Sequence, residues 1–278
     1  MDLDEQQREA VDYMGGPLKV EAGPGSGKTR VIVEKVGRLV AGGLSQDSIL
    51  CVTFTKKAAG EMSDRLQKMG IGEVRVETIH SLCLEMLQEN YLKTGVSEKT
   101  RQFSNLARLV WCIRNSEKFG IDPEVIRTDR NPTSLYAPMM SAISLAKREL
   151  ISHHDLERRV QAGPAQPEQQ DWFDQLAELS KVYRAYDSYK QAKNLIDYDD
   201  MVAGAVELLQ QDHTVMERYQ RRYQHILVDE FQDNNYAQFL FIRLLAGSGG
   251  ITVVGDGDQS IMGFQGAFGG IFDEFTAA

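Results

Sequence analysis

The chain has little of what marks secreted, zinc-binding or membrane proteins. Its three cysteines, Cys51, Cys83 and Cys112, are odd in number, far apart and without paired ligand spacing. That excludes a disulfide framework and a cysteine metal site, and predicts reduced core thiols in an intracellular protein. No apolar run approaches the length of a membrane span, and the acidic N-terminus carries no signal-peptide pattern. The expected location is the cytoplasm. A basic excess is missing too: 40 acidic against 31 basic residues give a net charge of −9, so any binding to a polyanion has to come from a local surface. Internal repeats and low-complexity tracts are absent from the sequence. With 278 residues the chain can bury a sizeable core, as one large or two small domains.

What the sequence does have is chemistry concentrated in a few stretches. Ala22-Gly23-Pro24-Gly25-Ser26-Gly27-Lys28-Thr29-Arg30 follows a short apolar run and reads as a phosphate cradle. Its glycines let the backbone turn so that successive N–H groups face phosphate oxygens. Lys28 adds a mobile positive charge, the Thr29 hydroxyl is placed for a magnesium ion, and a following helix aims its positive dipole end at the anion. Ala22 stands where the strict pattern has glycine, and is small enough to fit.

A second stretch, His225 to Asp233, is an apolar strand that ends in two acids, Asp229 and Glu230. Such a pair suits nucleotide hydrolysis, one acid holding magnesium and the next orienting and deprotonating the attacking water. A third, Val253 to Ser260, is another strand ending in a polar cluster, with Gln259 a candidate sensor of the γ-phosphate. Strand-end groups of a parallel sheet gather at its carboxyl edge, which brings all three stretches together.

Between these stretches the spacing predicts a short helix over 3–13, an amphipathic helix over 29–40 stopped by Gly42-Gly43, and a strand over 49–54 covered on both faces. A further helix over 55–66, a third strand over 74–76 and a helix from Thr78 follow. From about Tyr91 to Asn194 only helical patterns are seen, with no convincing strand. Trp172, Leu176, Leu179, Val182, Tyr183, Tyr186 and Tyr189 share one helix face there, an aromatic stripe that reads as core. The expected fold class is therefore α/β: a phosphate-loop domain with a parallel sheet, in two parts at 1–90 and 196–278, interrupted by an all-helical inserted subdomain at 91–195.

The set resembles the first motor domain of UvrD/Rep/PcrA-like superfamily 1 DNA helicases from the first residues to Ala267, which implies a RecA-like P-loop domain. Leu3 to Arg8 resembles the family's Q motif, with Gln7 where the family recognises adenine, and Ala22 to Arg30 its Walker A motif, with Arg30 near the base and sugar. Thr53 to Ala59 and Thr78 to Leu82 resemble two motifs that face single-stranded DNA, Asp197 to Met201 the small acidic motif before Walker B, Asp229 to Asp233 the Asp-Glu-Xaa-Gln-Asp box, and Gly255 to Ile261 motif III.

The resemblance implies ATP and Mg2+ as cofactors and Lys28, Asp229, Glu230 and Gln259 as catalytic residues. It also implies Phe54, Thr55, Thr78, His80 and Phe264 as contacts to single-stranded DNA and ss/ds junctions, three-prime to five-prime translocation, a nucleoid association in a bacterium, and partners in repair or replication. Lys56, Ile79, Met262 and Gln265 depart from the family's usual Asn, Phe, Tyr and Arg, so the nucleotide side keeps the pattern better than the DNA side. The second RecA-like domain, with its motifs IV to VI, has no counterpart in the chain, which is expected to be a fragment and a poor motor by itself. Two other classes fit part of the pattern. A P-loop ATPase or kinase unrelated to DNA leaves the Thr-Phe-Thr and Thr-Ile-His-Ser stretches unexplained, and a non-catalytic module has no use for a water-activating acid.

Overall fold

The computed structural model describes residues 3–120, 133–164, 166–257 and 271–277. Gln259 and Phe264, with Met262 and Gln265, lie outside the described residues. The strands are β1 (Leu18–Glu21), β2 (Ile49–Thr53), β3 (Arg75–Thr78), β4 (Arg101–Gln102), β5 (Leu195–Ile196), β6 (His225–Val228) and β7 (Gly250–Gly255). The chain divides into two compact units, Met1–Leu87 with Gly204–Ala278, and Gln88–Ala203.

The first unit is built on a five-stranded sheet in the order β1-β7-β6-β2-β3, with every pair parallel. Parallel neighbours need crossover connections, supplied here by helices such as α2 (Lys28–Ala41) and α3 (Lys56–Lys68), which follow α1 (Glu5–Asp12) and precede α4 (Ile79–Glu89). Strand β2 is buried at all five positions, as its unbroken apolar run requires when both sheet faces are covered. The stripe Ile32, Val36 and Leu39 of α2 packs on Ile49, Cys51, Leu227 and Val254 of the sheet and on Met62 and Leu66 of α3. Each such buried aliphatic side chain contributes roughly 1.5–3 kcal/mol. The Thr55 hydroxyl starts α3 by accepting the Ala58 N–H at 3.1 Å, and Gly42 closes α2 with its N–H on Arg38 O at 2.9 Å. Because the strands run one way, the residues after Glu21, Thr53, Thr78, Val228 and Gly255 all emerge at one edge.

The second unit is mainly helical. Trp111, Tyr136, Ile143, Leu156, Val182, Tyr183 and Tyr186 form its core, drawn from the helices Asn105–Arg114, Thr133–Arg148, His153–Ala162 and Gln170–Lys193. Two details differ from the sequence reading. Arg101–Gln102 pairs with Leu195–Ile196 as a parallel ladder, too short for any period and, at Arg101 and Gln102, exposed and polar. Trp172 begins the aromatic stripe yet is 52% exposed, because in the first turn of its helix the neighbouring Phe173, 4% exposed, takes the buried position.

Behind the stripe lies a buried ion cluster. Lys147 Nζ is 2.8 Å from Asp197 Oδ2 and 2.6 Å from Asp200 Oδ1, Lys190 Nζ is 2.9 Å from Asp187 and 3.1 Å from Asp197, and the Tyr186 hydroxyl donates to Asp197 at 2.9 Å. Asp197 and Asp200, which stood out as a short acidic motif, are thus neutralised by two lysines that are each 4% exposed.

Candidate active site

The loop after β1 is shaped by its glycines. The ladder continues one residue beyond the strand, Ala22 N–H donating to Gly255 O at 2.9 Å, and the chain then turns through Gly25 (φ +74°) and Gly27 (φ +85°). Both lie in the left-handed region, where a side chain is strained. The Ser26 hydroxyl donates to Gly23 O at 2.7 Å and closes the turn. Gly27 is the N-cap of α2 and has no side chain to cap with, and the first turn of α2 carries no acidic residue. The positive helix end thus opens onto an exposed loop with no acidic side chain of that turn against it, an arrangement that suits an anion.

Two side chains of that first turn reach the acids at the end of β6. Lys28 is buried, with Nζ 3.4 Å from Glu230 Oε2, and the Thr29 hydroxyl donates to Asp229 Oδ2 at 3.3 Å. From α1, Gln7 donates its Nε2 to Ser26 O at 2.8 Å, while its own carbonyl closes a capping box with Asp4. Arg30 lies one residue further along α2 and is partly buried.

The acid pair is held as firmly as the loop. Asp229 N–H donates to Val52 O at 2.9 Å, and Glu230 N–H to Asp229 Oδ1 at 3.0 Å. Glu230 has φ +49°, a left-handed conformation that costs a non-glycine residue stability. Gln232 clasps this geometry: its Nε2 donates to Glu230 Oε2 at 2.8 Å and its Oε1 accepts the Asp256 N–H at 2.9 Å. Burial first, and then the charge of Glu230, raise the carboxyl of Asp229 above its ordinary range. Asp233 is raised by burial and by Glu230 as well. One lysine thus faces several carboxylates, a balance in which a divalent cation would offset the repulsion between them and a polyphosphate. Thr29 and Asp229 offer it hard oxygen donors 3.3 Å apart, which is the chemistry Mg2+ requires.

Neighbouring strand ends complete the edge. Phe54, Ile79, His80, Asp229, Glu230 and Asn234 line one depression. Phe54 is 48% exposed and so is no core residue. Thr55 is exposed, its hydroxyl engaged in capping α3. Thr78 is buried, with its hydroxyl donating to Ser81 Oγ at 3.0 Å. The structure therefore brings Phe54, Thr55 and His80 to the accessible edge and places Thr78 beneath it.

Comparison with known sequences adds the lineage. The UvrD/REP helicase N-terminal domain family matches residues 3–278. The chain belongs to this family. It is 35% identical over 273 residues to ATP-dependent DNA helicase Rep of Escherichia coli (strain K12), an alignment covering 96% of this chain and 38% of the relative. It is 33% identical over 273 residues to ATP-dependent DNA helicase PcrA of Staphylococcus aureus (strain Mu50 / ATCC 700699), covering 95% of this chain and 34% of that relative. The chain thus spans little over a third of the length of the curated relatives it matches.

In this UvrD/REP helicase N-terminal domain two polar residues gained a place that sequence reasoning had not given them. Gln232 sat inside a recognised box, but its two partners are 2 and 24 positions away and only folding joins them. Lys35 falls within the predicted amphipathic helix over 29–40 and was not singled out, yet is 1% exposed. A lysine among Val31, Ile32, Val33 and Val36 was the one available signal.

Proposed function

We propose that this chain is the ATP-binding motor domain of an ATP-dependent DNA helicase or translocase, acting on single-stranded DNA in the three-prime to five-prime direction. What carries the reading is the meeting of the phosphate loop with the strand-end acids, Thr29 with Asp229 at 3.3 Å and Lys28 with Glu230 at 3.4 Å.

In this reading the loop Ala22 to Gly27 and the Lys28 ammonium take the phosphates, Thr29 and Asp229 would hold Mg2+, and Gln7 and Arg30 meet the base and sugar. Bound Mg2+ supplies charge neutralisation across the phosphate oxygens. Glu230, fixed by Lys28 and Gln232, accepts the proton of the attacking water, and Lys28 is released from Glu230 to the phosphates as nucleotide enters. Gln259 senses the γ-phosphate. Phe54 and Phe264 stack bases, each worth roughly 1–3 kcal/mol, with polar contacts from Thr55, His80 and Thr78, the last through backbone since its hydroxyl is engaged.

The substrates of the whole protein are single-stranded DNA and ss/ds junctions, its work lies in repair or replication in the cytoplasm, and a second RecA-like domain is its partner in motion. An arginine delivered to the γ-phosphate is worth roughly 10³–10⁵ in rate, and stepping needs two gripping domains that open and close. These 278 residues alone therefore bind Mg·ATP and turn it over slowly. The test is binding of a fluorescent ATP analogue by the parent chain and by Lys28→Ala. The variant is expected to lose at least about tenfold in affinity, or roughly 1.4 kcal/mol, with an unchanged melting temperature. Equal affinity would overturn the reading.

A further inference from the structure

Lys35 lies on α2 two turns beyond Lys28 and is 1% exposed. A buried ammonium is costly unless each of its three N–H groups finds an acceptor. Here they do: Lys35 Nζ donates to Ala10 O at 3.2 Å, to Val11 O at 3.3 Å, and to Tyr13 O. All three carbonyls belong to the C-terminal end of α1, where an α-helix leaves its last carbonyls without intrahelical partners. Helix α1 has eight residues and no basic residue in its last turn, so it is too short to be stable alone and lacks the positive charge its C-terminal dipole end favours. Lys35 provides both the hydrogen bonds and the charge from a neighbouring helix. Arg38 adds a weaker, exposed tie to Asp12 at 2.9 Å.

The other end of α1 meets the phosphate loop. Gln7 Nε2 reaches Ser26 O at 2.8 Å, and a methyl group built on Gly27 would stand 3.1 Å from that same nitrogen. Thus α1 is fastened at both ends to one continuous piece of chain, the loop and the helix that follows it. A side-chain amide, donor and acceptor together, matches the N6 donor and N7 acceptor of adenine.

We propose that Lys35 is a positioning residue for base recognition, clamping α1 so that Gln7 faces the purine of a bound nucleotide. The inference rests on the reading that Gln7 meets the base. The triphosphate cradle does not depend on the clamp, since Lys28 and Thr29 are held by Glu230 and Asp229.

The test compares fluorescent ATP and GTP analogues, with inorganic tripolyphosphate as competitor, on the parent chain, K35Q, K35R and Q7A, while hydrogen exchange follows the α1 amides. K35Q is expected to lose most of the ATP-over-GTP preference, about tenfold, with tripolyphosphate affinity unchanged within about twofold and faster exchange in α1. K35R, which keeps the charge and donors, is expected to restore the preference. Preserved discrimination in K35Q despite a frayed α1 would overturn the clamp, as would an equal loss of tripolyphosphate binding. If Q7A itself leaves the preference unchanged, the base reading fails rather than the clamp alone. Should K35Q not fold, Q6G/E9G, both exposed on α1, frays the same helix without removing a group that faces Lys35. Retained discrimination there would overturn the proposal equally.

Discussion

Gln232 shows how a single side chain carries a site. It is 2% exposed, and its amide ties the base candidate Glu230 to the end of the adjacent strand through the Asp256 N–H. Gln232→Ala leaves that buried N–H without its acceptor, at a cost of about 1–3 kcal/mol, and lets Glu230 turn away from the phosphates. ATP turnover is expected to fall about tenfold, within the range of a displaced general base, while nucleotide affinity holds, because Lys28 and Thr29 are untouched. Gln232→Glu keeps an acceptor for Asp256 but sets a second, buried carboxylate against Glu230, so it recovers neither turnover nor the full melting temperature. Phosphate release and thermal melting read the two effects separately. At this scale the phosphate loop and the acid pair were legible in the sequence, because their residue types and spacing are themselves the chemistry. Gln232's bridge and Lys35's burial were not, since both depend on partners brought close by packing.

Between elements, the pairing of β6 with β7 sets a tighter constraint than either strand shows alone. His225 stands opposite Gly250, and its Nε2 lies 3.0 Å from Thr252 Oγ1. A Cβ on Gly250 would come 2.1 Å from His225 Nδ1, so this glycine is needed for room. Gly250→Ala must displace the ring and is expected to cost about 1–3 kcal/mol, seen as a lower urea midpoint with unchanged slope. Burial, helped by the charge of Lys35, holds His225 down at about 4, below the ordinary 6.5 of an unfolded histidine. The unfolded chain then binds the extra proton first, so stability from this group is complete above pH 6.5 and lost as pH falls toward 4. His225→Gln is expected to flatten that part of the melting-temperature profile. Strands and crossover helices were readable here from apolar runs and caps such as Thr55 and Gly42. The β4–β5 ladder was unreadable because two polar residues have no period, and Trp172 misled because the helix buries its neighbour Phe173 instead.

At the scale of the whole molecule, the two units can be probed apart. The chain has 2 tryptophans, Trp111 and Trp172, both within Gln88–Ala203, so their fluorescence reports the helical unit alone. Lys147→Met leaves Asp187, Asp197 and Asp200 with Lys190 as the remaining lysine of the cluster. Breaking such a buried set is expected to cost about 3–5 kcal/mol, seen as an earlier tryptophan transition while ATP-analogue binding by the other unit persists. The order of the sheet also governs how the protein comes into being. On a ribosome β1 emerges early, but among the described residues its one sheet neighbour is β7, translated roughly 230 residues later by the range Leu18–Glu21 to Gly250–Gly255, and the inner strands β6 and β7 are the last two strands made. Until they arrive, the P-loop strand is an unpaired edge with exposed backbone groups, the kind of nascent segment that chaperones shield. Long-range pairing of this sort closes slowly. In refolding from urea, tryptophan fluorescence is therefore expected to recover first and ATP-analogue binding in a later, slower phase. Simultaneous recovery would show that the sheet does not wait for its centre.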